Sequence, residues 1–356
     1  MRYALVGCGR IAINHMRAAH NNNLDIVGLC DVDKTHIDAL LCKCDFDLPK
    51  ISFYENYKQM IEMEKPDLVA IATESGKHAE IALFCIEKGV NVIIEKPMAM
   101  SINDAQKIIE ASKKCNVKVS VCHQNRFNSA VVATKKAIDD GRFGKLSHAS
   151  ICVRWNRGKD YYNQAKWRGT WAEDGGALMN QCIHGIDLLL YFVGSPVKTV
   201  FGQTRQQFHN YLEGEDVGVA VLSFDDGTIG TIEGTVNVYP KNLEETLFLF
   251  GEKGTVKIGG TSTNNIEVWQ FSDSKDYDKT CVGLKEQTCN VYGNGHTALY
   301  ANMIDSIQNN HQPLISGEEG MRALEIVLSI YKSELEGKAV ILPLNNFSSL
   351  NMKGHF

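Results

Sequence analysis

Residues 2–12 read RYALVGCGRIA, and this stretch decides the fold. Arg2 to Val6 is a short apolar run, Gly7-Cys8-Gly9-Arg10-Ile11-Ala12 follows, and Ile13 to His20 can wind into a helix, giving strand, tight turn and helix in succession. Gly7 permits the sharp turn, Gly9 lets the backbone approach a pyrophosphate with no Cβ in the way, and Ala12 lets the helix lie close on the strand. The first N–H groups of that helix lack intrahelical partners and are offered to an anion. A dinucleotide is the ligand such a turn predicts. Asp31 stands 24 residues after Gly7, at the end of the next apolar run, Asp25 to Cys30. Its carboxylate would accept the adenosine ribose hydroxyls and repel the extra phosphate of NADP, so NAD is the expected cofactor.

The rhythm continues outward through Leu68 to Ala72, a helix from Lys77 to Lys88, Asn91 to Ile94, a helix from Asn103 to Lys114, and Lys118 to Val121. Such alternation predicts an α/β domain over residues 1–122, a doubly wound parallel sheet covered by helices on both faces. From about Lys145 the chain becomes strand-rich, with runs at Leu146 to Trp155, Val197 to Gln203, Val217 to Phe224, Thr228 to Val238, Thr246 to Phe250, Gly254 to Ile258 and Ile266 to Phe271. Asp226-Gly227 and Lys253-Gly254 fall between runs as hairpin turns. The expectation is an α+β second domain over 123–356, with a large open, mainly antiparallel sheet whose uncovered face needs a partner.

Composition narrows the function classes. The 356 residues exceed the roughly 100–200 that one domain takes, and 44% hydrophobic with 22% charged residues is the balance of a folded globular chain. A formal charge of -5 leaves no basic surplus for nucleic acid or an anionic membrane. The start MRYALVGCGR lacks a signal peptide's apolar core, and no 18-residue apolar stretch follows, so a cytoplasmic protein is expected. The 11 cysteines are scattered and odd in number, which suits reduced thiols better than a disulfide framework. Cys42 and Cys44 have no second pair or adjacent histidine, and no metal is expected.

Glu95-Lys96-Pro97 follows the run Asn91 to Ile94, at the carboxyl edge where open α/β sheets place ligands and where the first domain gives way to the second. Pro97 restricts Lys96 to extended backbone. A lysine there can hydrogen-bond a reacting hydroxyl and, partly desolvated, help remove its proton; a solvated surface lysine is the alternative. Gly175-Gly176 opens an apolar run containing Leu178, Ile183, Ile186, Leu189 and Leu190, a mostly buried helix with His184 inside it. Taken alone, His184 suits a satisfied core histidine as well as a base.

Gly7-x-Gly9-x-x-Ala12, Thr73 to His78 (TESGKH), Glu95-Lys96-Pro97, and Gly175-Gly176 followed by His184-x-x-Asp187 occur in this order. With them the chain resembles the glucose–fructose oxidoreductase, inositol dehydrogenase and rhizopine catabolism family, from residue 1 to about 340. The resemblance implies that Lys96 and His184 face the nicotinamide as the catalytic pair, and that Gly7, Gly9, Arg10, Ile11, Ala12, Asp31, Thr73, His78, Glu95 and Gln124 surround the cofactor. Many relatives carry Asp four residues before the histidine, where this chain has Asn180. Asn180 cannot stabilise an imidazolium as a carboxylate does, which leaves the division of labour between Lys96 and His184 open. Asp187 suits either a supporting carboxylate or a structural pair.

Tyr161-Tyr162, Trp167-Arg168-Gly-Thr-Trp171, Gly175 to Gln181 and Tyr239-Pro-Lys-Asn-Leu-Glu244 are similar to the branch of bacterial UDP-N-acetylglucosaminuronate 3-dehydrogenases. That branch implies NAD-dependent oxidation of the sugar C3 hydroxyl of a UDP-linked N-acetylated uronate in surface polysaccharide biosynthesis, and homo-oligomers, dimers or tetramers, built by covering the open sheet. A nucleotide-sugar uronate needs cations for its carboxylate and diphosphate and aromatics for its uracil. Arg126, Arg157 and Arg168 with Tyr162 and Trp167 are candidates, each of which can equally be a surface ion pair or core aromatic. Asn180 and His296 complete the candidate substrate contacts, although i,i+4 packing explains His296 and Tyr300 as well. A dehydrogenase of a free sugar or inositol and a catalytically silent NAD-binding regulator are the competing readings.

Overall fold

A computed structural model describes residues 1–47, 51–260, 262–286 and 294–356. Contacts divide the chain into two units, one of residues 1–122 with 296–321 and one of 123–295 with 322–356. The segment 296–321 therefore does not belong with the second domain expected over 123–356. It carries Leu299, Tyr300, Met303 and Ile315, all buried. The carbonyl of Ile315 accepts the Val121 N–H at 3.0 Å, and Ser316 bridges Ser120. Local periodicity holds no record of such a return.

The first unit contains β1 (Arg2–Val6), β2 (Asp25–Cys30), β3 (Ser52–Tyr54), β4 (Leu68–Ile71), β5 (Asn91–Ile94) and β6 (Val119–Val121). They form one parallel sheet in the order β3-β2-β1-β4-β5-β6, the doubly wound order with its crevice beside β1. All four residues of β4 are buried, as a parallel strand covered on both faces requires. Three of the helices begin at side-chain caps: Asp33 caps Lys34–Leu41, Asn56 caps Tyr57–Glu64 and Ser101 caps Ile102–Cys115. The helix expected from Lys77 starts as a short 3-10 turn, Ser75–Lys77, and continues as His78–Glu87.

The second unit contains β7 (Leu146–Arg154), β8 (Val197–Arg205), β9 (Val217–Phe224), β10 (Ile229–Thr235), β11 (Glu244–Gly251), β12 (Gly254–Gly259), β13 (Asn265–Phe271) and β14 (Val340–Ile341). Their order is β13-β12-β11-β7-β10-β9-β8-β14, antiparallel throughout except for the parallel pair β7 and β10. One face is a core face: a Cβ on Gly185 of the helix Ile183–Val193 would stand 2.7 Å from Ile151, and one on Gly202 would stand 2.8 Å from Ile330 of the helix Gly317–Glu336. The alternate residues point away from these helices, and Phe201, Val219, Val221 and Ile229 among them are exposed.

Every cysteine among the described residues is a free thiol, and Cys289 lies outside them. No helix among the described residues is long and apolar enough to cross a membrane.

Candidate functional site

In the first unit the dinucleotide edge is assembled at the carboxyl ends of β1 and β2. Gly7 has φ +91°, and a Cβ there would lie 2.5 Å from the backbone of Ala72, so only glycine fits the turn. A Cβ on Gly9 would meet no described atom within 4 Å. The protein's own packing thus leaves open space beside Gly9. The helix Ala12–Asn21 begins at Ile11 with no side-chain cap, so no side chain competes with a phosphate at its N-terminus, although the Ala12 and Asn14 N–H groups already turn to the Gly9 and Ile11 carbonyls at 3.2 and 2.9 Å. Asp31 is shaped by its neighbours: Oδ2 accepts the Cys8 N–H at 2.8 Å, while Oδ1 accepts the Asp33 N–H at 2.9 Å and faces His36 Nδ1 at 3.1 Å. Glycine turn, uncapped helix and anchored carboxylate together fit a dinucleotide. Arg10 is exposed, and Ile11 and Thr73 are half-buried.

Glu95, Lys96 and Pro97 leave β5 through a cis Lys96-Pro97 peptide. His78 is buried with Nδ1 2.8 Å from the Pro97 carbonyl and Nε2 3.1 Å from the Thr73 carbonyl, and its ring, which burial holds toward the neutral form, donates to one of the two at a time. Glu95, also expected beside the cofactor, points into a buried group with His15, His296 and Cys122. Its Oε1 lies 3.0 Å from His15 Nε2 and 3.5 Å from His296 Nε2. Burial alone would raise the Glu95 carboxyl, but the hydrogen bonds from the two histidines prevail and hold it well below its ordinary value. Burial pushes His15 down toward the neutral ring and the Cys122 thiol up. His296 was expected among the substrate contacts; the structure instead buries it against His15, ring centroids 5.3 Å apart. No spacing rule links residues 15, 95, 122 and 296, so this cluster is not legible in consecutive residues.

In the second unit the expected helix after Gly175-Gly176 opens with a π-helical turn, Leu178–Cys182, before the α-helix Ile183–Val193. A π turn re-aims the side chains that follow it and is frequent at functional sites. His184 sits just after it, buried, its ring edge-on to His123 at 5.6 Å. Asn180 Nδ2 donates to Asp174. The double glycine has a cause that sequence reasoning missed: a Cβ on Gly176 would overlap the buried carboxyl of Glu215 at 1.6 Å. Glu215 Oε1 accepts the Leu178 N–H at 2.8 Å and the Tyr331 hydroxyl at 3.0 Å, fixing the start of the helix that carries His184.

The substrate candidates separate. Arg126 is buried and gripped in two hydrogen bonds, 2.8 and 2.6 Å, by Asp187, under the Tyr191 ring, so its charge has a partner inside the unit. Asp187 thereby takes the structural role. Tyr162 is a buried aromatic packed on Tyr161 and Tyr211. Arg157 and Arg168 remain half-buried and are brought together on one ring: their guanidinium carbons lie 5.2 and 4.4 Å from the Tyr161 centroid, and Arg168 also stacks on Trp167 at 4.5 Å. Gln124 is buried in a 3-10 turn, Gln124–Phe127.

The sheet order and the glycine turn define an NAD-binding Rossmann protein. The sequence matches the oxidoreductase family's NAD-binding Rossmann fold over residues 1–123 and that family's C-terminal alpha/beta domain over 135–342. The chain belongs to this glucose–fructose oxidoreductase, inositol dehydrogenase and rhizopine catabolism family. Among solved structures it is similar to the WlbA dehydrogenase of Bordetella pertussis in complex with NADH and UDP-GlcNAcA, 34% identical with a TM-score of 0.87 and covering 97% of this chain and 98% of that one. In sequence it is similar to the D-apiose dehydrogenase of Paraburkholderia graminis, 24% identical over 95% of this chain and 89% of the relative. The myo-inositol 2-dehydrogenase of Thermotoga maritima is 23% identical over 96% of this chain and 98% of its own length.

Proposed function

We propose that this chain oxidises the C3 hydroxyl of UDP-N-acetylglucosaminuronate to a ketone, a step toward surface polysaccharide, and that it works as a homo-oligomer in the cytoplasm. The observation that carries this reading is the full-length 34% identity to a dehydrogenase solved with NADH and UDP-GlcNAcA. The Arg157 and Arg168 guanidiniums on the half-buried Tyr161, beside Trp167, agree with it, since fixed cations and aromatic rings suit a carboxylate, a diphosphate and a pyrimidine. NAD, when bound, takes up the hydride from C3. His184 accepts the hydroxyl proton and Lys96 holds the oxygen, so that the bond pair of O–H becomes the new C=O bond as the hydride departs. Free sugars are the second reading, favoured by the apiose and inositol dehydrogenases among the relatives.

Appearance of NADH absorbance with UDP-N-acetylglucosaminuronate, UDP-N-acetylglucosamine, glucose and myo-inositol separates the two. Turnover confined to glucose or myo-inositol would refute the uronate reading. With the right substrate, His184→Asn and Lys96→Ala are each expected to lower kcat by about 10²-fold or more, with the NAD dissociation constant little changed.

A further inference from the structure

We infer that Glu95 is a positioning residue for Lys96, and that His296, delivered by the returning segment 296–321, holds Glu95 in place. The inference rests on the reading that Lys96 attends the reacting hydroxyl. Glu95 Oε2 accepts the backbone N–H of Lys96 at 3.2 Å. The other oxygen faces His15 Nε2 and His296 Nε2, and His15 Nδ1 lies 2.7 Å from the Tyr300 hydroxyl, itself 2.9 Å from that of Tyr3.

One arrangement of protons satisfies this whole chain of contacts. Tyr3 donates to Tyr300, Tyr300 donates to Nδ1 of a neutral His15, and the Nε2–H groups of His15 and His296 point at the ionised Glu95 carboxylate. The His15 bond to the carboxylate, at 3.0 Å, is charge-assisted and stronger than a neutral one, and the His296 contact adds to it at 3.5 Å. The Lys96 peptide is thereby tied to side chains from the helix Ala12–Asn21 and the helix Gly295–Gln308, while His78 holds the Pro97 carbonyl one residue further on. The turn is fixed on both sides of Lys96, so the direction of its side chain is set by backbone anchored in the core. A reacting group misplaced by about 1 Å costs on the order of 10² in rate, which is the scale on which such anchoring matters. The same four side chains, His15, Glu95, Cys122 and His296, place ligand atoms within 4.8 Å of one another, so a bound metal is the rival account of why they converge.

The test uses the full chain loaded with NAD and reads amide exchange at Lys96, kcat and NAD affinity in Glu95→Gln, His296→Leu and His296→Gln. The glutamine at 296 keeps an N–H donor near the place of Nε2, and its Lys96 exchange and kcat are expected to stay within about 3-fold of the unaltered protein. His296→Leu and Glu95→Gln are expected to exchange Lys96 at least ~10-fold faster and to lose kcat by about 10²-fold, with NAD still bound. Equal losses in the leucine and glutamine variants, or a leucine variant with protected Lys96 and full kcat, would overturn the inference. Stoichiometric zinc in the unaltered protein, lost in these variants, would overturn it in favour of the metal. If no UDP-linked uronate is oxidised but the exchange pattern appears, the functional reading fails and the tether stands.

Discussion

At the scale of single residues, two buried carboxyls set a pH dependence. Burial pushes Glu215 and Glu245 up to about 8 from an ordinary 4.5. A carboxyl raised in the folded state keeps a proton that the unfolded chain has already released, so native stability falls as pH climbs from about 4.5 and the loss is complete above about 8. Glu215→Gln removes the titration while keeping an oxygen to accept from Leu178 and Tyr331. The variant is expected to match the unaltered protein in stability near pH 5 and to exceed it at pH 9 by on the order of 2–4 kcal/mol, with a correspondingly higher Tm there. Thermal unfolding across that range checks this; parallel Tm curves for the two proteins would show that Glu215 does not hold a proton in the fold.

At the scale of elements, the two glycine turns separate ligand binding from packing. Gly9→Ala adds a methyl that meets no described atom, so Tm is expected to hold while NAD affinity falls by about 10-fold or more, as a Cβ intrudes where the pyrophosphate must approach. Gly176→Ala drives its methyl into Glu215 and is expected to cost at least ~2 kcal/mol in stability and to disturb the His184 helix with it. Unfolding midpoints and NAD titrations of the two variants give opposite patterns, or the assignment is wrong. The Arg126–Asp187 pair is buried on both sides, so Arg126→Met alone is expected to destabilise by about 3–5 kcal/mol and the double change Arg126→Met with Asp187→Leu to recover most of it. The dinucleotide turn and the alternating strands were legible in the sequence because each is written in consecutive residues: a glycine pair, an apolar run, a period. β3 was not, having only three residues, of which Ser52 and Phe53 are exposed. The fates of Arg126, Tyr162 and His296 were equally hidden, since a buried ion pair, an aromatic cluster and a histidine pair form between residues up to 281 positions apart, such as His15 and His296. Residue type announces a charge or a ring; only the fold says whether a partner has already claimed it.

At the scale of the whole molecule, the proposal that the chain works as a homo-oligomer turns on the exposed face of the eight-stranded sheet. Phe201 lies directly opposite Val221 in the β8–β9 register, Val219 and Val221 alternate along β9, and Ile229 continues the patch onto β10. Phe250 stacks on His148 at 4.4 Å further across, and Arg154 sits between Glu233 and Glu244 on the same face. Contiguous exposed β-branched and aromatic residues on a flat sheet are costly in water and mark a protein interface. A two-fold axis through such a face lets each copy supply the same patch to the other, so that apolar side chains bury one another and the Arg154 cluster meets its own image. In such a pairing one substitution enters twice. Val221→Lys would set two ammonium groups in or near a dehydrated contact, and light scattering at micromolar concentration is expected to show the mass fall to that of one chain, 39.6 kDa, while the unaltered protein remains a multiple of it. Val221 is already 47% exposed in the single chain, so the substitution removes little internal packing and the separated subunit should keep its NAD affinity. An unaltered protein that scatters as one chain, or a Val221→Lys protein that keeps its full assembled mass, would place association elsewhere than on this face.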